Sequence, residues 1–150
     1  MEQLTKEQVD SLNDLILINN DRMIGYEKAM DGLDDDNIDL KSLFSGFIDQ
    51  SLAIKMQLKE LLQSLGEKAE EGTTIAGKIY RAWMDIKLVF ALNGRKAMLA
   101  ACEGGEDGAQ KAYNDALKKS LPYRVADILI KQRDELKQAH DQVRDLRDSA

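Results

Sequence analysis

Apolar residues recur at three- and four-residue spacing through almost the whole chain, and a chain patterned this way folds as packed helices. The first stripe is Val9, Leu12, Ile16, Met23, Tyr26 and Met30; the second is Leu40, Phe44, Phe47, Ile54, Leu58, Leu61 and Leu65. A third, shorter one runs through Ile75, Ile79, Ala82, Trp83, Ile86 and Phe90. Leu99, Cys102, Ala109, Tyr113 and Ala116 form the fourth, and Val125, Ile128, Leu136, Ala139, Val143 and Leu146 the fifth. No segment alternates as a strand does, and no internal repeat is visible. The single Pro removes the proline-bearing turns on which sandwiches and barrels depend.

Local signals divide the stripes. Thr5 with Gln8 three residues on is a capping box. The stretch Asp31-Gly32-Leu33-Asp34-Asp35-Asp36-Asn37 breaks the first helix, and Asn37 or Asp39 caps the second. Gly66 is a C-terminal stop, and residues 66 to 73 read as loop. Thr73 or Thr74 caps a helix running to about Leu92, which Asn93-Gly94 ends. A further helix spans about Arg95 to Lys119, and Leu121-Pro122 separates it from the last, which runs from Pro122 to about Asp148.

The long helices, about 25 residues each, are roughly 38 Å long at 1.5 Å per residue. The shorter one, about 19 residues, spans roughly 28 Å, enough to carry the chain from one end of a bundle back to the other. The expected fold is therefore all-α: a single ferritin-like four-helix bundle over residues 1–150, with an additional crossover helix between the second and third long helices, up-down-down-up. A plain up-down bundle with a peripheral excursion is the competing topology.

Each inward stripe carries one strongly polar interruption near its midpoint: Asn19, Ser51, Glu106 and Gln132. In a bundle these four meet in one layer. Buried polar groups are costly unless they satisfy one another, so the first reading is a network that fixes helix register. The second reading is a metal or ligand site. Ferritin-like di-metal centres take a Glu from each of two helices and a Glu-x-x-His from each of the other two. This chain has one His, His140, and Glu135 lies five residues before it, about 140° around the helix. An all-carboxylate site from Glu27, Glu103, Glu106 and Glu135 is the arrangement left for iron or manganese.

The chain resembles an uncharacterised bacterial family of ferritin-like four-helix-bundle proteins of about this length. The resemblance rests on Leu12-Asn13-Asp14-Leu15, Asn19-Asn20-Asp21-Arg22, Gly25-Tyr26-Glu27 and Arg81-Ala82-Trp83-Met84-Asp85. It continues in Cys102-Glu103-Gly104-Gly105-Glu106-Asp107, Lys111-Ala112-Tyr113, His140-Asp141 and Leu146-Arg147-Asp148. It implies the ferritin-like fold and supplies no substrate, reaction or partner.

Other features bound the function. A net charge of −6 disfavours nucleic acid. No apolar run approaches a membrane span. Residues 1–11 read as the start of a helix rather than a secretory signal. The lone Cys102, expected in the core as an inert packing residue, suits a reducing compartment, so a cytoplasmic protein is expected. His140, between Lys137 and Arg144, is expected to be solvated. Gly104, Gly105 and Gly108 beside Glu106 point to close packing against the crossover and its Trp83. Tyr80, Met84 and Leu88 form a second apolar face on that crossover helix, read as the interface of a homo-oligomer, a two-fold dimer. No P-loop, dinucleotide fingerprint or nucleophile elbow is present. The sequence thus points to a non-catalytic, self-associating or protein-binding bundle without cofactor. The alternative is a carboxylate-bound iron or manganese protein handling metal or an oxidant.

Overall fold

The computed structural model describes residues 3–74 and 78–150. Among them are five helices and no strand: α1 (Lys6–Gly32), α2 (Ile38–Ser64), α3 (Lys78–Met84), α4 (Ile86–Leu117) and α5 (Tyr123–Asp148). A single turn of 3-10 helix, Asp35–Asn37, leads into α2. None of these helices is long and apolar enough to cross a membrane.

The helix ends follow their local chemistry. The Gln8 amide donates to the Thr5 hydroxyl at 3.1 Å while the Thr5 amide donates to Gln8 Oε1 at 2.9 Å, the reciprocal pair of a capping box. After α2, Gly66 turns with φ +75°, and the Glu67 amide reaches back to the Leu62 carbonyl at 2.9 Å, closing a Schellman motif. Helix α4 bends sharply at Gly94, where φ 85° and ψ −169° lie in a region essentially closed to residues with a Cβ. The bend splits α4 into 86–93 and 95–117, where the Asn93-Gly94 stop and the Arg95 restart were expected.

The crossover differs from the expected helix over Thr73–Leu92. Among the described residues its helical part begins at Lys78, as α3 and the first part of α4. Residues 65–74 form an irregular strap along α1, held by side chains of α1 that take the place of a neighbouring strand. Asn13 accepts from the Glu70 amide at 2.7 Å and donates to the Lys68 carbonyl at 3.2 Å. Asn20 donates to the Gly72 carbonyl at 2.6 Å. Asp21 accepts the Thr74 amide at 3.1 Å and the Thr74 hydroxyl, so Thr74 binds α1 instead of capping a helix. Ile75 and the Ile79 side chain lie outside the described residues.

The strap and α3 advance along α1 from Asn13 to Gly25, and Lys87 reaches Gly32. Arg95 then pairs with Asp39 at the start of α2, at 2.8 Å. The long part of α4 therefore runs in the same direction as α2, which is the up-down-down-up order. Helix α1 is the central element, packed on α2, α3 and α4, while α5 packs mainly on α4.

Two apolar half-cores fill the bundle. One gathers Leu12, Leu15, Ile16, Ile54, Leu58, Leu62, Tyr113 and Leu129. The other gathers Tyr26, Phe44, Phe47, Trp83, Ile86, Leu99, Cys102 and Val143. In the second, the Tyr26 ring lies 4.8 Å from Phe44 and from Trp83. Trp83 occupies a slot between two glycines. A Cβ at Gly25 or at Gly105 would sit 2.3 Å from the indole, whereas one at Gly104 would meet nothing. Close helix approach thus accounts for Gly105 beside Glu106.

Candidate functional site

Between the half-cores lies a connected polar network. Arg22 is its centre, with side-chain exposure of 1%. Its Nε donates to Glu106 Oε1 at 2.7 Å and its Nη2 to Glu106 Oε2 at 3.0 Å, a bidentate pair. Nη1 donates to the Ser51 hydroxyl at 2.7 Å and to the Phe47 carbonyl at 3.1 Å. The guanidinium also lies over the rings of Tyr26 and Phe47, at 5.3 and 5.1 Å. Tyr26 donates its hydroxyl to Glu106 at 3.2 Å.

From Arg22 the network crosses to the other helices. Ser51 donates to Asn19 Oδ1 at 3.0 Å, and Asn19 Nδ2 donates to the Tyr113 oxygen at 3.2 Å. Tyr113 donates to Gln132 Oε1 at 2.8 Å, and Gln132 Nε2 to Gln57 Oε1 at 2.8 Å, where the network reaches the surface. Every link has a donor facing an acceptor, and all four long helices contribute.

The electrostatics follow from burial. Removal from water works against the charge on Arg22, but Glu106 together with Tyr26 and Tyr113 outweighs it and keeps the guanidinium protonated. Burial, reinforced by the Glu106 charge, pushes the Tyr26 hydroxyl and the Cys102 thiol well above their ordinary ranges. Tyr113 is also pushed up, first by burial. The network thus joins one guanidinium to one carboxylate among hydroxyl and amide groups.

The structure brings Asn19, Ser51, Glu106 and Gln132 into this one layer, each buried. It does not bring the four candidate glutamates together. Glu106 is enclosed by Arg22, Glu27 and Glu135 are exposed, and Glu103 pairs with Arg147 at 2.6 Å. Three helix positions separate Glu103 from Glu106, enough to turn one inward and leave the other at the α4–α5 edge. Sequence reasoning missed Arg22, Tyr26, Tyr113 and Gln57. Arg22 lies three residues after Asn19 and four before Tyr26, the spacing of one stripe, and that was the available signal.

Two further positions differ from expectation. His140 is not solvated: its side chain is 16% exposed and stands between Asp107, 2.7 Å from Nε2, and Asp141, 2.9 Å from Nδ1. The second face of the crossover is not continuous. Met84 is partly buried against the core and Tyr80 is half-buried, so of the three only Leu88 stands fully in the open. Leu88 is 58% exposed, and Leu92, one turn on, 72%.

The fold and its mid-bundle layer define a ferritin-like helical bundle. A mutant of Mycobacterium smegmatis Dps1 has a similar structure: TM-score 0.76 at 16% identity, over 94% of this chain and 97% of that one. Residues 7–119 match the family described as "Domain of unknown function (DUF2383)", and the chain belongs to that family. No curated protein matches it.

The residues present do not fit the di-metal centre that this fold can carry. That centre needs carboxylates and histidines converging from four helices. Among the described residues the mid-bundle layer offers a single carboxylate, both of whose oxygens accept from Arg22, and a guanidinium already supplies the cation. The histidine stands outside the layer, between α4 and α5.

Proposed function

We propose that this chain is a non-catalytic cytoplasmic bundle protein that works by pairing with a second copy of itself, its polar layer being structural. The observation that carries the reading is the exposed pair Leu88 and Leu92, 58% and 72% accessible. Four residues apart on one short helical segment, they share a face. The opposite side of the crossover, with Trp83 and Ile86, is spent on the core. A crossover needs only one apolar stripe to cover its bundle, and two exposed leucines on its other side fit a partner. The closed network supports the non-catalytic half, since each of its links pairs a donor with an acceptor inside the bundle. The one cysteine is a buried free thiol, in keeping with a reducing compartment.

Sedimentation equilibrium from low to high micromolar concentration tests this. The expected result is a concentration-dependent dimer that becomes monomeric in Leu88→Glu/Leu92→Glu with helical content unchanged. A wild-type chain that stays monomeric throughout overturns the reading, as does a dimer indifferent to both substitutions.

A further inference from the structure

We propose that Glu103, Asp107 and His140 bind a divalent transition-metal ion at the solvent edge of the α4–α5 contact, apart from the mid-bundle layer. Glu103 and Asp107 are four residues apart on α4 and so stack on one helix face. His140 faces them from α5. One ligating atom from each of the three lies within 4.8 Å of the others. Bonds of about 2.0–2.2 Å to imidazole nitrogen and carboxylate oxygen put ligands around one ion roughly 3–3.5 Å apart, so small side-chain adjustments bring these three onto an ion.

Two observations separate this set from an ordinary surface cluster. The first is the orientation of the imidazole. Asp141 Oδ1 stands 2.9 Å from Nδ1 while Nε2 points at Asp107, 2.7 Å away. A carboxylate holding one ring nitrogen while the other faces the ligand position is the outer-shell arrangement of metal-bound histidine. The ion takes the place of the proton between Nε2 and Asp107, and that proton leaves to solvent. The second is Glu103. Its Oε1 accepts from Arg147 at 2.6 Å, but its Oε2 is buried and has no hydrogen-bond partner among the described residues. A buried carboxylate oxygen without a donor is costly, and a cation there satisfies it.

The donor set selects the ion. One imidazole with two carboxylates suits zinc, manganese or iron(II), whereas magnesium and calcium prefer oxygen ligands alone. Asp107, 62% exposed, leaves the ion an entry path and room for water as further ligands.

The chain has one histidine, so the imidazole signals of ¹⁵N-labelled protein belong to His140. Titration with zinc chloride is expected to move the Nε2 resonance to saturation at one equivalent, with no response to magnesium chloride. Calorimetry should show the same stoichiometry, its loss in His140→Ala and in Glu103→Gln, and a ten- to hundredfold weakening in Asp141→Asn. An imidazole unmoved by excess zinc overturns the proposal. So does zinc binding that survives His140→Ala undiminished, or that is lost in Cys102→Ser while His140 is intact. None of these readouts depends on the oligomeric state.

Discussion

At the scale of single residues, the Arg22–Glu106 pair dominates, because each charge is tolerable inside the bundle only through the other. Removing one partner of a buried ion pair leaves an uncompensated charge and costs about 3–5 kcal/mol, whereas replacing both with apolar groups is often neutral or favourable. Arg22→Met or Glu106→Leu alone should therefore lower the urea midpoint strongly. The double variant should recover most of the loss. If the two single losses simply add in the double variant, the pair is not the unit described here. Residue identity also limited what could be read beforehand. Asn19, Ser51, Glu106 and Gln132 were legible because each interrupts an apolar stripe. Arg22 was not, because a cation between Asp21 and Met23 reads as a surface residue until its bidentate partner is known. His140 was misread for the complementary reason: its neighbours in sequence are charged, but the carboxylate Asp107 that encloses it comes from another helix.

At the scale of elements, the helix ends were legible, since capping boxes, glycines and the one proline act locally. The crossover was legible only in part. Its apolar spacing suggested a helix from Thr73, yet the strap is set by Asn13, Asn20 and Asp21, residues more than fifty positions away along the chain. The interruption at Asp85 keeps helical φ/ψ and helical hydrogen bonds on both sides, so no sequence signal announces it. The seat of α3 is equally specific. With Gly25 and Gly105 both against the Trp83 indole, Gly105→Ala should overpack the slot and cost about 1–3 kcal/mol. In a Trp83→Ala background the same substitution should cost much less. Thermal unfolding of the four proteins of this cycle checks it, and equal costs in both backgrounds would contradict the packing described.

At the scale of the whole molecule, the up-down-down-up order was legible because segment 66–94 is too long for a hairpin and long enough to cross the bundle. What could not be read was that the core has two apolar halves, since that partition exists only once four helices are aligned in depth. Burying Cys102, Tyr26 and Tyr113 has a collective consequence at high pH. All three have pKa values raised by burial above the ordinary 9.0 for a thiol and 10.0 for a phenol. When the folded pKa lies above the unfolded one, the contribution to stability is complete below the unfolded pKa and is lost as pH rises towards the folded value. Stability should thus hold to about pH 9 and then fall as the unfolded chain sheds protons that the folded chain retains. Urea midpoints followed from about pH 8 to 11 test this, and a midpoint that stays level would count against it.

The strap divides the molecule into two antiparallel hairpins, α1 with α2 and α4 with α5. Asn19, Arg22, Tyr26 and Ser51 belong to the first; Glu106, Tyr113 and Gln132 belong to the second. Neither hairpin satisfies all of its own buried groups. One ends in a cation awaiting an anion, the other in an anion awaiting a cation. A chain severed within the strap would yield two fragments, each carrying the other's missing counterpart, and so a natural split pair that recognises itself by the chemistry now hidden at its centre.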